Sequence, residues 1–387
     1  MARAQVQTHP FDRLTAEGIR HENSLKWTFY PQDVIPMWVA DMDFPLAPPL
    51  VEAMHARLER SIGYAPMLGD SVLLDLLIAK HAPHLGEEHF RFLPGVVPGL
   101  YAAVAALTSP GEAVITHTPV YPPFLSAIST QGRTARHVPL VRGESGWEND
   151  WDALEAAVTP DARLLMLCSP HNPTGRVWTR AELERIADLA LRHRLWVVTD
   201  ELHADLTLEG EFLPFAGISP DLAQRTITLT GPGKAFNTSG VGIGTAYSDN
   251  KALMERFSAV SGGLMGHPAT LAYELWKVAL QRCQPWLRDT LEYLRGNRDL
   301  VSTFVSESMP RVRHLPPQGT YLAWLDLNDY PWAADAQTHL LENAKVGLGD
   351  GKTFGPAGEG FARLNFATPR PILREGLERI AGALDPG

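Results

Sequence analysis

Thr179-Arg180-Ala181-Glu182-Leu183-Glu184-Arg185-Ile186-Ala187, running on to Leu195-Trp196-Val197-Val198-Thr199-Asp200, is the stretch that decides the fold. Thr179 and Glu182 have the spacing of a capping box, in which a hydroxyl caps the first helical turn and a carboxylate reaches back to the cap. Leu183, Ile186, Ala187, Ala190 and Leu191 then recur at helical spacing and make one apolar stripe. The β-branched run that follows predicts a strand over 195–199. A second apolar run over 164–168 precedes the helix, so the segment reads as strand, helix, strand. Two further runs, 113–117 and 226–230, have the same character, with helical or loop stretches between the last three. That alternation predicts an α/β fold with a mainly parallel central sheet.

Working outward, residues 1–47 read as an irregular segment rich in proline and aromatics, including Trp27, Tyr30, Trp38 and Phe44. Residues 48–285 carry the alternating pattern and form the expected large domain. Residues 286–387 hold two helical segments, near 286–306 and 370–384, and two strand-like runs, Gly319–Asp326 and Gly360–Phe366. They predict a smaller α/β domain that packs with the N-terminal segment. The chain has 387 residues, 45% hydrophobic and 20% charged, the composition of an ordinary globular protein. A formal net charge of −10 argues against nucleic acid or an anionic membrane as partner. No apolar run is long enough to span a bilayer. Two cysteines without a C-x-x-C pair, and no signal-peptide pattern, point to the cytoplasm.

Three chemistry-bearing residues follow three successive strand ends: Asn172 in Ser169-Pro170-His171-Asn172-Pro173-Thr174-Gly175, Asp200 in Asp200-Glu201-Leu202-His203, and Lys234 in Gly231-Pro232-Gly233-Lys234-Ala235-Phe236-Asn237. Ligands of open α/β sheets bind outside the carboxyl ends of strands, so the three belong to one cleft. An amine, an acid and an amide are what pyridoxal 5'-phosphate needs: a lysine for its aldehyde, a carboxylate for its pyridine nitrogen, an amide for its ring oxygen. Lys234 would be displaced by a substrate amine and then serve as general base. At an effective dielectric near 20, Asp200 about 4 Å from the ring nitrogen is worth roughly 4 kcal/mol, about three pKa units. His203 supports the ring oxygen, Tyr121 stacks on the ring, and Arg363 takes the substrate carboxylate with its two-pronged donor set. Gly95-Val96-Val97-Pro98-Gly99-Leu100, before the small-residue helix Tyr101–Ala106, presents backbone N–H groups, those of Val96 and Val97 among them, to the phosphate. Each residue has a plainer role when read alone: Asp200 as a helix cap, Asn172 as an Asn-Pro turn, Lys234 as a surface lysine.

Other signals carry less. His81, His84 and His89 lack a cysteine or carboxylate frame, so no metal site is expected. Gly240-Val241-Gly242-Ile243-Gly244 does not open a strand–helix–strand unit as a dinucleotide fingerprint does. No G-x-S-x-G elbow exists.

Taken together, Tyr121, Asn172-Pro173-Thr174-Gly175, Asp200-x-x-His203, Lys234 and Arg363 resemble, over nearly the whole chain, the fold-type I pyridoxal-phosphate enzymes of the class I/II aminotransferase superfamily. Pro36-Met37-Trp38-Val39-Ala40-Asp41-Met42-Asp43-Phe44, Asp200–Asp205, Lys234–Asn237 and Gly319–Trp324 resemble its cystathionine β-lyases of the MalY/PatB type. The resemblance implies a large and a small domain, cleavage of the Cβ–S bond of cystathionine, cysteine or related thioethers, and a homodimer. It also implies that Tyr64 reaches the partner subunit's cofactor phosphate and that the Ala40 backbone lies near the substrate carboxylate. An aminotransferase, or a regulatory protein on the same scaffold, remains the alternative. The chain departs from the family at two positions. Gly233 stands where a serine usually precedes the lysine, and Gly242 where many aminotransferases have arginine. Thr230, Thr238 or backbone amides are the candidates to replace those phosphate donors.

Overall fold

The structure is a computed structural model and describes residues 9–66, 69–143, 146–261 and 265–384. The first eight residues of the 1–47 segment and the last three of the 286–387 unit therefore lie outside the described residues. In chain order the strands are β1 (Ile35–Met37), β2 (Phe90–Leu93), β3 (Ala113–Thr118), β4 (Thr134–Arg142), β5 (Trp147–Asn149), β6 (Ala162–Cys168), β7 (Trp196–Asp200), β8 (Thr226–Thr230), β9 (Gly244–Tyr247), β10 (Arg313–His314), β11 (Leu322–Asp326), β12 (Val346–Asp350) and β13 (Phe361–Asn365).

Among the described residues, eight strands form one sheet in the order β2-β9-β8-β7-β6-β3-β4-β5. The four strands anticipated from sequence lie side by side at its centre, β8-β7-β6-β3, all parallel. β4 extends the parallel run, while β2, β9 and β5 pair antiparallel at the flanks. Side chains alternate across the pleat. Leu164, Met166 and Cys168 enter the core beneath the helix Val96–Leu107, and Leu165 and Leu167 enter the one beneath Arg180–Arg192. A strand buried on both faces reads as a continuous apolar run rather than an alternating one, which is why these strands are visible in the sequence. The capping box forms: Thr179 Oγ1 accepts from the Glu182 N–H while Glu182 Oε2 accepts from the Thr179 N–H.

The second sheet runs β1-β12-β13-β11-β10. β1 joins it in parallel, Ile35 opposite Val346 and Met37 opposite Leu348, so residues near the N-terminus complete a sheet made otherwise from the C-terminal part. The segment before residue 48 is more regular than its composition suggests. Short helical turns form at Pro10–Arg13, Ala16–Ile19 and Leu25–Thr28, the last two with Thr15 and Ser24 as hydroxyl caps. The strand-like run from Gly319 enters β11 only at Leu322, because Thr320 adopts φ 69° in the turn that precedes it. The long helix Gln284–Ser308 packs its apolar stripe on this second core.

Candidate active site

The carboxyl ends of β6, β7 and β8 open on a cavity of about 330 Å³. Its wall includes Ala40, Val96, Val97, Tyr121, Asn172, Asp200, His203, Lys234 and Arg363. These come from seven separate places in the chain, so the tertiary fold assembles them. Two anticipated residues stand apart from that wall. Thr230 ends β8 and is buried, but it does not line the cavity, and Tyr64 is fully exposed on a different surface.

Alternation along β7 puts Asp200 on the same side as Val198, under the helix Val96–Leu107 and facing the cavity. The next residue, Glu201, goes the other way and accepts hydrogen bonds from Thr199 Oγ1 and the Phe215 N–H. Both acids are buried. Desolvation pushes Asp200 up to about 6, against the pull of the Leu202 N–H, which donates to Oδ1 at 3.0 Å, and of Lys234. Burial pushes Glu201 up to about 8. Asp200 is thus a carboxyl whose charged form is under-compensated, so a cationic partner would stabilise it.

Lys234 is partly buried, its exposure directed to the cavity. Nζ donates to the Ala40 carbonyl at 2.6 Å and to Ser239 Oγ at 3.3 Å. Burial lowers its pKa from the ordinary 10.5; Asp41 opposes this, Arg363 adds to it, and Asp200 opposes it. A desolvated amine of this kind is the more ready to lose a proton and act as a nucleophile.

Arg363 is buried, yet it faces no carboxylate among the described residues. Nη1 donates to Asn172 Oδ1 at 3.0 Å and Nη2 to the Trp38 carbonyl at 2.9 Å, while Nε has no partner. Burial lowers its pKa to about 10. A buried guanidinium held only by neutral acceptors is strongly under-compensated, and a ligand carboxylate would supply the missing charge. Because Asn172 gives its oxygen to Arg363, its amide N–H groups remain for a ligand acceptor. His203 is buried, its ring 6.2 Å from that of Tyr321 and Nδ1 unpartnered; burial, with Lys234 and then Arg363, holds it at about 3, so the ring is neutral at pH 7. Tyr121 opens the helix Pro122–Ser129, and its N–H donates to the Asn172 carbonyl at 3.0 Å.

A layer that sequence reasoning missed holds the 38–44 loop over Lys234. Asn365 Nδ2 donates to the carbonyls of Val39 and Asp41, both at 2.7 Å, and the Tyr321 hydroxyl donates to that of Ala40 at 3.0 Å. Asn237 accepts from the Met42 N–H and donates to the carbonyls of Met42 and Phe44. Behind the loop, Lys26 pairs with Asp43 at 2.7 Å, both buried, and Trp27 Nε1 donates to the same carboxylate at 2.7 Å. Amide-to-backbone bonds across the fold leave no periodic trace; the cues were motifs alone, the 36–44 run itself, Asn237 closing the one around Lys234, and Tyr321 within Gly319–Trp324.

Among the described residues no group of three or more His, Cys, Asp or Glu side chains could hold a metal, and no helix is long and apolar enough to cross a membrane.

Comparison with known proteins gives the chain a family. The family described as aminotransferase class I and II matches residues 33–380. Cystathionine beta-lyase PatB of Bacillus subtilis (strain 168) is 36% identical over 376 residues, covering 93% of this chain and 96% of that protein. A cystathionine beta-lyase of Corynebacterium glutamicum is 33% identical, covering 95% and 98%. Among solved structures, cystalysin from Treponema denticola, which contains a pyridoxal 5'-phosphate cofactor, superposes with a TM-score of 0.88 at 32% identity, covering 94% of this chain and 95% of that one. With the family matched over most of its length and a shared scaffold, the chain belongs to the class I and II aminotransferase family.

Proposed function

We propose that this chain is a pyridoxal 5'-phosphate-dependent carbon–sulfur β-lyase, eliminating a thiol from cystathionine, cysteine or a related S-substituted cysteine to give pyruvate and ammonia. The observation that carries the reading is a single cavity in which a desolvated lysine, a buried acid and a buried arginine without an acid partner lie together. The relatives named as cystathionine β-lyases support the choice of reaction.

The residues fit the cofactor. Asp200 would take the ring nitrogen, and the Asn172 amide N–H the ring oxygen with His203 beside it. Tyr121 would cover the ring, and the N–H groups of Val96 and Val97 would meet the phosphate. When bound, the cofactor supplies an electron-accepting ring in conjugation with the substrate's α-carbon. The chain does the rest. Arg363 binds and neutralises the substrate carboxylate, and the Ala40 backbone closes over it. Lys234 moves a proton from the α-carbon, departure of the β-thiolate is then favoured, and uptake of one water by the unsaturated amino acid that remains gives pyruvate and ammonia. The loop clamped by Asn237, Asn365 and Tyr321 holds the Ala40 carbonyl against that amine.

The large domain comprises 48–285 and the small one 286–387, with 1–47 packing against the small domain and the site. The working form is a homodimer in which Tyr64 reaches the partner subunit's phosphate site; its full exposure in the single chain supports this. Both cysteines are buried and unpaired, in keeping with a cytoplasmic enzyme. The test is to incubate the purified protein with cystathionine, with and without a keto acid. Thiol release without a keto acid is the expected result; strict dependence on one would make the chain a transaminase instead.

A further inference from the structure

The turn after Lys234 carries two hydroxyls, those of Thr238 and Ser239, on the cavity wall. Thr238 is 5% exposed and lines the cavity, and its Oγ1 has no hydrogen-bond partner. Ser239 Oγ donates to the Gly233 carbonyl at 3.1 Å and lies 3.3 Å from Lys234 Nζ. The same cavity is walled by the first turn of the twelve-residue helix Val96–Leu107, whose N-terminus has no side-chain cap. An uncapped helix start beside a buried, unpaired hydroxyl is an arrangement for an anion.

Space explains why the hydroxyls sit here. A Cβ at Gly233 would lie 3.2 Å from Ser239 Oγ and 3.3 Å from Ser239 Cα, so the Ser239 side chain already fills the place of a residue-233 hydroxyl. Gly242 has φ 58°, and a Cβ there would meet the Pro94 carbonyl oxygen at 2.9 Å, so this backbone excludes arginine at 242. Among the described residues, Lys234 and Arg363 are the only lysine or arginine side chains on the cavity wall, and both have other tasks.

We propose that Thr238 and Ser239 grip the phosphate of the cofactor, replacing the serine and arginine that the family resemblance would place at 233 and 242. The assignment rests on the pyridoxal-phosphate reading and deepens it: the phosphate is held by neutral hydroxyls and a helix start instead of by a guanidinium.

The experiment titrates apoprotein with pyridoxal 5'-phosphate and, separately, with pyridoxal, which lacks the phosphate. Thr238→Val and Ser239→Ala should each raise Kd for the phosphate form about tenfold or more, the worth of one hydrogen bond to a charged group. The Kd for pyridoxal should stay within about twofold for Thr238→Val, since RT ln 2 is a small fraction of such a bond, and should shift less than that of the phosphate form for Ser239→Ala, whose Oγ also accepts from Lys234 Nζ. Gly233→Ser placed on Ser239→Ala should recover most of the loss, because the hydroxyl returns from the other side of the same gap. Variants that melt like the wild type and lose neither ligand, or lose both equally, overturn the assignment while leaving the cofactor reading intact. A wild-type protein that takes up neither ligand overturns both.

Discussion

Replacing Asp200 by asparagine should make the apoprotein more stable while weakening its hold on the cofactor. Burial raises this carboxyl from the ordinary 3.8 to about 6. At about 1.4 kcal/mol for each pH unit, keeping it ionised in the folded apoprotein at pH 7 costs about 3 kcal/mol. The sign follows from which state holds the proton. Below about pH 4 the carboxyl is protonated in both states and costs nothing. From there to about pH 6 the folded state keeps a proton that the unfolded chain has released, so stability falls as pH rises. Above about pH 6 the full cost remains. Asparagine keeps the oxygen that accepts from the Leu202 N–H and removes the charge, which isolates the electrostatic part. The assay is urea denaturation of both apoproteins at pH 4 and pH 7. The gain for Asp200→Asn should be about 3 kcal/mol at pH 7 and close to zero at pH 4. An equal gain at both values, or a loss at pH 7, would refute the idea that the site stores an unpaired buried charge. Such a charge is the stability given up to receive a cationic ring nitrogen, a common exchange at functional sites.

Lys234→Ala should abolish the visible absorbance of the bound cofactor and lower kcat by several powers of ten, each about 1.4 kcal/mol of barrier, measured as thiol release. Arg363→Lys should raise KM by about tenfold or more while shifting kcat less, because one donor cannot replace the fork held by Asn172 and Trp38; steady-state kinetics separates the two parameters. Lys26→Met leaves the buried Asp43 carboxylate without its cation and should destabilise the protein by about 3–5 kcal/mol, seen as a lower denaturation midpoint. Asn237→Ala removes three hydrogen bonds to the loop over Lys234 and should cost about 1–3 kcal/mol. Amide hydrogen exchange should quicken at Met42, whose N–H loses its acceptor.

The placement of Asn172, Asp200 and Lys234 was legible because strand ends are local features and the strand-end rule turns them into a site. The loop over that site was legible only as a motif. Gly233 looked like a missing donor in the sequence; in space it is the vacancy that Ser239 occupies. Asn365 and Tyr321 gave no sign of their task, since each bonds a backbone carbonyl hundreds of residues away.

Periods of two and of 3.6 residues, a capping box and the order of polar residues are written along the chain. From these the sequence alone determined an α/β sheet with parallel strands at its centre and a lysine, an acid and an amide at their ends. The tertiary structure decided what distance along the chain conceals: that Ile35–Met37 completes a sheet with Val346–Asp350, that Asp200 faces the cavity while Glu201 faces the core, and that Arg363 is buried without an acid. Side-chain periodicity is set by neighbours a few bonds apart, whereas burial and charge compensation depend on which distant surfaces fold together.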